Sequence, residues 1–272
     1  MKITFSNTEN LYVKTFEELF KLGNYLDVIE LNCSSSKLKE LPHNIWNLIN
    51  LRRLICNNNE LESLPPYIHL LNNLEILILD YNKLKEIPLI PNLKKLSMSS
   101  NLVKVIPPEI SELNNLEVLI LLNNKISQIS KNIGLLTKLK KLVLINNELI
   151  SLPNSITNLV NLKNLELCNN GIKSLPKKMN KLKSLEYLRI DRNQLMYLPK
   201  ELAKIESLRK IFCNFNKVKV IPKGFLKLEK LQFISLIDNP ITENPIPDKV
   251  ILDIFELDKI SSIMYINDIL FE

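Results

Sequence analysis

A 23-residue pattern that recurs ten times constrains this chain more than any other feature of its sequence. The pattern reads L-x-x-L-x-L-x-x-N-x-L-x-x-L-P-x-x-I-x-x-L-x-x, and the third copy is short, with 19 residues. A single copy cannot bury its own apolar residues, so similar copies are expected to stack on one another as a solenoid. The ten copies, called units one to ten below, begin at residues 28, 51, 74, 93, 116, 139, 162, 185, 208 and 231.

Each unit predicts one short strand followed by a return segment. Positions 4 and 6 are apolar and alternate with variable positions 3, 5 and 7, as in a strand that is buried on one face. Proline at position 15 restricts φ and removes a hydrogen-bond donor, so the return segment is predicted to be irregular or extended, without a long helix. Asparagine at position 9 is predicted to lie buried and to bond backbone groups of neighbouring turns. These structural asparagines are Asn59, Asn82, Asn101, Asn124, Asn147, Asn170, Asn193, Asn216 and Asn239.

The complete pattern resembles that of the leucine-rich repeat family over residues 28–245. Its Leu-Pro-x-x-Ile-x-x-Leu half, as in residues 41–48 and 152–159, is similar to the 23-residue class of intracellular, Ras-group leucine-rich repeat proteins. The resemblance implies an α/β solenoid, a horseshoe with a parallel sheet on its concave side and an irregular or 3₁₀ convex side. It also implies a non-enzymatic scaffold that binds proteins, with small GTPases or signalling assemblies as partners.

The segments outside the units are predicted to cap the two ends of the stack. In residues 1–27, the sequence from Thr15 to Glu18 is a capping box that predicts a helix. In residues 246–272, Asp248 is predicted to begin a second cap helix, and no linker or second domain is expected. The chain begins without the apolar core of a secretory signal, and its cysteines lack the spacing of a disulfide framework. We therefore expect an intracellular, cytoplasmic protein.

Composition argues against several classes of catalytic or cofactor site. The chain has 4 glycines, far apart, which excludes glycine-rich phosphate loops, and 2 histidines without metal-ligand spacing, so no cofactor or metal is predicted. Cys33, Cys56 and Cys213 occupy the core position 6 and are predicted to be small buried side chains, with a bridge or metal pair between Cys33 and Cys56 as the alternative. Cys168 lies at position 7 and is predicted to be exposed, where a reactive thiol is the enzymatic alternative.

Positions 3, 5 and 7 are predicted to form the concave surface. They are mostly aliphatic in units five and six and include aromatic residues and arginine in units eight to ten. Contiguous exposed apolar surface marks interaction sites, and tyrosine and arginine are frequent in binding hot spots, although β-branched residues also favour strands for their own sake. The predicted partner-binding residues are Ile76, Ile78, Val118, Ile120, Leu122, Val143, Ile145, Tyr187, Arg189, Phe212 and Phe233.

The formal net charge of +7 is distributed unevenly. Residues 173–230 carry 16 basic and 5 acidic side chains, whereas residues 231–272 carry 2 and 8. The basic block favours an alternative function, an adaptor that binds anionic lipid, acidic protein or nucleic acid. Nucleic acid is disfavoured because aromatic residues are not interleaved with the lysines, and a merely solvated convex face is the simplest explanation. The basic patch comprises Lys173, Lys177, Lys178, Lys181, Lys183, Lys217, Lys219, Lys223 and Lys227.

Overall fold

The computed structural model describes residues 1–242, in which one strand from each unit joins a single parallel sheet. An antiparallel hairpin extends this sheet to twelve strands. The predicted solenoid with a parallel sheet is thereby confirmed. The strands are β1 (Lys2–Phe5), β2 (Asn10–Tyr12), β3 (Val28–Asn32), β4 (Arg53–Ile55), β5 (Ile76–Ile78), β6 (Lys95–Ser97), β7 (Val105–Ile106), β8 (Val118–Ile120), β9 (Gln128–Ile129), β10 (Lys141–Val143), β11 (Asn164–Glu166), β12 (Tyr187–Arg189), β13 (Lys210–Phe212) and β14 (Phe233–Ser235).

The register of the sheet pairs equivalent positions of neighbouring units. Leu142 of β10, for example, lies opposite Leu119 of β8 and Leu165 of β11. The side chain at position 4 is fully buried in all ten units, so these residues form a continuous apolar column beneath the sheet. Burial of this column stabilises the stack, because each leucine contributes about 1.5–3 kcal/mol when it is removed from water.

The return segments form short 3₁₀ turns on the convex side. Proline at position 15 precedes most of them in extended conformation, as at Pro42 and Pro153, where the missing N–H donor is not needed. The residue at position 18, such as Ile45 or Ile156, is buried and closes the core from this side. These turns span His43–Asn47, Pro66–Leu70, Pro108–Glu112, Lys131–Leu135, Asn154–Asn158, Met179–Lys181, Lys200–Lys204 and Lys223–Lys227, and a further 3₁₀ turn, Tyr25–Asp27, lies in the N-terminal cap.

Unit three differs from the other units whose return segments the structure describes, because it lacks a 3₁₀ turn. Residues 89–92 cross the convex side directly, and buried Ile90 closes the core in place of a full turn. Next to this shortcut, β7 and β9 form a separate two-stranded parallel sheet. A groove of about 730 Å³ lies between units three and four, with Ile87, Leu89 and Val105 among its lining residues. The missing four residues therefore open the convex surface locally without opening the core.

The N-terminal cap is more elaborate than the predicted helix. Thr15 begins a five-residue helix, α1 (Phe16–Phe20), and its hydroxyl accepts a hydrogen bond from the Glu18 N–H at 3.2 Å. The Glu18 carboxylate accepts from the Lys14 N–H at 2.7 Å, one residue before the N-cap, so the reciprocal bond of the predicted capping box is shifted by one residue. The repeat pattern does not predict the β1–β2 hairpin, whose first strand pairs with β3 and covers its edge. The predicted C-terminal cap, residues 246–272, lies outside the described residues.

Candidate functional site

The position-9 asparagines form a ladder that ties each unit to its neighbours. Asn124 is representative: its amide nitrogen donates to the carbonyl oxygens of Met98 at 2.9 Å and Leu121 at 3.2 Å. Its amide oxygen accepts from the Val103 N–H at 3.0 Å. Side chains at Asn59, Asn82, Asn101, Asn147, Asn170, Asn193, Asn216 and Asn239 bond the backbone in the same way. Because backbone groups occupy these amides, the ladder holds the turns together and offers little to a ligand.

The aliphatic residues of the concave face are less accessible than the sequence predicts. Ile120, Val143 and Ile145 are only 3–4% exposed and form one small cluster with Cys168. Adjacent strands lie about 4.8 Å apart, so branched side chains on neighbouring strands cover one another. The expectation that these side chains lie in water is therefore wrong, and they form a dense apolar floor instead.

The other predicted aliphatic residues lie at the margins of this face. Ile78 is 7% exposed and buried, whereas Ile76, Val118 and Leu122 are half-buried. Val118 and Leu122 pack directly against the cluster. Val118 and Leu122 therefore extend this apolar cluster, whereas Ile76 and Ile78 are separated from it by Lys95 and Ser97 of β6.

The prediction that Cys168 is exposed is also wrong. This thiol is 5% exposed, and its Sγ lies 3.5 Å from Oδ2 of Asp191. Burial, together with the negative charge of Asp191, raises the pKa of the Cys168 thiol far above its usual range. A nucleophile must be a thiolate, so this cysteine is poorly suited to catalysis at neutral pH.

The remaining cysteines are buried thiols. Cys33 and Cys56 are in contact across neighbouring strands with their Sγ atoms 2.8 Å apart, and both are free thiols, as is Cys213. Burial raises the pKa of the Cys56 thiol well above its ordinary value. Within residues 1–242, no group of three or more histidine, cysteine or acidic side chains is arranged to hold a metal ion.

Three aromatic side chains on β12, β13 and β14 form a contiguous stack, called the aromatic platform below. Tyr187 and Phe212 are half-buried, whereas Phe233, which the sequence predicts to be exposed, is 8% exposed and forms the buried end of the stack. The ring centroids of Tyr187 and Phe212 are 5.4 Å apart, and those of Phe212 and Phe233 are 4.8 Å apart. The register places Arg189 directly opposite Phe212, and its guanidinium carbon lies 6.0 Å from the centre of that ring. Arg189 also pairs with Asp191 at 3.0 Å, which fixes the guanidinium beside the platform.

Several polar residues at position 7 have a structural role that the sequence analysis missed. Each accepts a hydrogen bond from the backbone N–H at position 7 of the next unit, at 2.6–2.9 Å. The side-chain oxygens of these residues therefore cap backbone N–H groups at the ends of the strands, and their role is structural. The recurrence of Asn or Asp at this position was the available signal. They are Asn57, Asp80, Asp191 and Asn214.

The nine lysines of the basic patch are all exposed and lie outside the strands. Lys181, Lys223 and Lys227 fall within 3₁₀ turns. No ion pair of the described residues includes any of the nine. The patch therefore lies off the strands that carry the aromatic platform, and its Lys217 follows the end of β13 by five residues.

Comparison with known proteins agrees with this architecture. The family model described as "Leucine-rich repeat region" matches residues 146–260. This part of the chain is a leucine-rich repeat region. Among curated proteins, none matches the chain. The resemblance to leucine-rich repeat proteins is confirmed, whereas the Ras-group class stays a prediction.

Solved structures of leucine-rich repeat proteins resemble this one. A leucine-rich repeat protein of Leptospira interrogans is 27% identical, with a TM-score of 0.55 and coverage of 88% of this chain and 78% of that one. An internalin of Listeria monocytogenes, 21% identical with a TM-score of 0.73, shares the fold over 91% of this chain and 70% of its own.

A plant peptide hormone receptor, RGFR1 in complex with RGF2, is 26% identical, with a TM-score of 0.65 over 82% of this chain. This chain spans 41% of the receptor. Leucine-rich repeat folds generally mediate interactions between proteins. Among the described residues, no helix is long and apolar enough to cross a membrane.

Proposed function

We propose that this protein is a non-enzymatic scaffold that binds a protein partner on the concave face of its sheet. The aromatic platform carries the proposal, because its three large rings lie on the outer side of the sheet and not in the core beneath it. Tyrosine and arginine are enriched in binding hot spots, and Arg189 lies beside the rings. The complex of RGFR1 with RGF2 supports the general mode, since a related repeat protein there holds a peptide hormone.

The apolar floor of units five and six supports the same surface. It continues along the sheet toward the platform. Its side chains are apolar, so a partner would contact it through shape complementarity and apolar packing. Such surfaces suit the desolvated centre of an interface, with polar residues at its rim. By resemblance to the Ras-group class, small GTPases and signalling assemblies are the partners we would test first. We also propose an intracellular location, which suits four buried free thiols.

Affinity capture from cell lysate tests the proposal, with wild type beside Tyr187→Ala/Phe212→Ala, at low salt and at ~0.5 M salt. We expect partners that wild type retains at high salt to be lost by the variant, since removing hot-spot rings costs about 2 kcal/mol or more. Tyr67→Ala/Tyr197→Ala is the matched control, because these tyrosines are exposed outside the sheet. Equal retention of every partner by wild type and the platform variant would place the site elsewhere.

A second candidate function is favoured by the basic patch. Nine exposed lysines without ion pairs in the described structure could attract anionic lipid or an acidic protein. Material held in this way is lost from wild type and the platform variant alike when salt is raised, because the Debye length falls to a few ångströms. The same experiment therefore separates the two functions.

A further inference from the structure

The residue at position 8 adopts the left-handed backbone conformation in all ten units. Its φ lies between 51° and 57° from Ser35 to Asp238. Most side chains are disfavoured in this region, because Cβ crowds the following carbonyl oxygen, and asparagine tolerates it best after glycine. Units two, five, six and seven use asparagine here, at Asn58, Asn123, Asn146 and Asn169.

These asparagines also bond one another along the rim of the sheet. The amide of Asn146 donates to the side-chain oxygen of Asn123, and that of Asn169 donates to Asn146. Asparagine at position 8 therefore lowers the backbone strain and also forms a side-chain hydrogen bond with the equivalent asparagine of the neighbouring unit. The ladder stops in units eight and nine, where Arg192 and Phe215 occupy the same conformation, with φ of 53° and 54°.

Arg192 and Phe215 contact each other on the surface of the molecule, and we call them the rim pair. The guanidinium carbon of Arg192 lies 4.3 Å from the centre of the Phe215 ring, and both side chains are exposed, Phe215 to 42%. An aromatic residue in a strained conformation, without burial to offset the strain, is a costly choice. Strained residues cluster at functional sites, and the one other aromatic residue at position 8 in the described units, Tyr81, lies in unit three, away from the platform.

The rim pair borders the aromatic platform. Arg192 follows Arg189 of β12 by three residues, and Phe215 follows Phe212 of β13 by three residues, so both lie where these strands leave the concave face. Aromatic rings therefore continue from the strands onto the rim. A segment that lies across the platform would meet Phe215 as it leaves the sheet.

The surroundings of the rim pair are mainly basic. Lys210 and Lys217 are exposed beside the two phenylalanines, and residues 173–230 as a whole carry 16 basic and 5 acidic side chains. Of the nearby acids, Glu166 lies on β11 directly opposite Arg189, Asp191 is buried and bonded to Arg189, and Asp238 lies at position 8 of unit ten. This field attracts a partner of negative charge.

We propose that the rim pair and the aromatic platform together bind an acidic segment of a protein partner. Carboxylates of the segment meet Arg192, Lys210 and Lys217, and its apolar side chains pack on Phe215 and Phe212. This inference rests on the proposed function of the concave face and names the chemistry of the partner. In this proposal Phe215 determines specificity, and its contact with the partner explains why a strained backbone position holds an exposed aromatic side chain.

Titration of a short labelled peptide that repeats Glu-Glu-Leu, followed by fluorescence anisotropy on the full chain, tests this inference. A peptide that repeats Gln-Gln-Leu is the neutral counterpart. We expect saturable binding of the acidic peptide, and a Kd about tenfold weaker for Phe215→Asn, as for loss of a hot-spot ring. The melting temperature of Phe215→Asn should equal or exceed that of wild type, because asparagine tolerates the left-handed conformation. A merely structural Phe215 would instead lower it.

Tyr81→Asn is the matched control. Tyr81 has φ of 57° and is 62% exposed at the same position in unit three, far from the platform. This variant should keep the melting temperature at or above that of wild type and leave the Kd unchanged. A Kd that weakens equally in both variants would overturn the proposal.

Three further results would overturn it: no saturable binding of the acidic peptide to wild type, equal binding of the neutral peptide, or an unchanged Kd for Phe215→Asn. If Tyr187→Ala/Phe212→Ala loses its protein partners while Phe215→Asn keeps the wild-type Kd, the concave-face function stands and the role of the rim pair falls. If the platform variant retains every partner, the proposed function itself fails, whatever the peptide shows.

Discussion

Asp80 and Asn214 occupy the same position in different units and make the same hydrogen bonds. The side-chain oxygen of each accepts a serine hydroxyl and a backbone N–H from the next strand. An amide oxygen therefore suffices for this geometry, and the charge of Asp80 adds nothing to it. Burial raises the pKa of the Asp80 carboxyl, although the bonds from Ser97 and Ser99 and the charge of Lys95 oppose this shift.

We predict that Asp80→Asn stabilises the protein at neutral pH. A raised pKa means that the folded state holds the proton more tightly, so wild type loses stability as pH rises from the ordinary value of 3.8 to the raised pKa. The variant escapes this loss. Its advantage in melting temperature, roughly 2 °C for each kcal/mol, should therefore shrink as the pH falls toward 3.8.

Thermal unfolding over a pH series measures this effect. Asn214→Asp is the reciprocal variant and should be less stable than wild type at neutral pH, since it places a charge in the same kind of site. A lower melting temperature for Asp80→Asn than for wild type at neutral pH would show that the carboxylate itself is needed.

At the scale of single elements, the β1–β2 hairpin protects the edge of the sheet. Unpaired backbone groups of an edge strand invite pairing with another chain. β1 covers β3 in antiparallel register and contributes Ile3 and Phe5, both buried, to the core. The outer strand β2 is exposed along its whole length.

Deletion of residues 1–12 should therefore leave the later units folded but cause self-association through β3. Size-exclusion chromatography with light scattering would detect the larger species, and circular dichroism would verify the remaining fold. Leu11→Lys/Tyr12→Lys is the control, since both side chains are exposed on β2 and β3 stays covered. A truncated chain that remains monomeric at high concentration would contradict this role of the hairpin.

At the scale of the whole molecule, stability is the sum of couplings between neighbouring units. Asn123 and Asn124 separate two contributions to this coupling, because the first is exposed and the second is buried in backbone hydrogen bonds. We expect Asn124→Ala to cost about 3 kcal/mol or more, since it leaves several buried backbone groups unpaired. Asn123→Ala should cost about 1 kcal/mol, the penalty for alanine in the left-handed region.

Denaturant unfolding would measure both variants. Asn124→Ala should also broaden the transition, because units on either side of unit five become less strongly coupled. Equal costs for the two variants would mean that the buried ladder contributes less to the stack than its hydrogen bonds indicate.

The candidate site was only partly predictable. Tyr187, Phe212 and Phe233 could be placed on the concave face by position alone, but their diagonal stacking depends on the register between β12, β13 and β14. The rim pair was missed because strand periodicity ends before position 8. The signal in the sequence was at position 8, where units five to seven have asparagine and units eight and nine have Arg192 and Phe215.

The period of the solenoid and the positions of its strands follow from the repeat pattern alone. Leucine at position 4 must be buried, and buried asparagine at position 9 must find hydrogen-bond partners. At a fixed spacing of 23 residues, a stack of equivalent units is one of the few arrangements that meets both requirements. The exposure of the concave residues to water depends instead on packing between units. Ile120, Val143, Ile145 and Cys168 are hidden because side chains on adjacent strands cover one another at a spacing of about 4.8 Å. These contacts join residues of different units, so the pattern within a single unit cannot predict them.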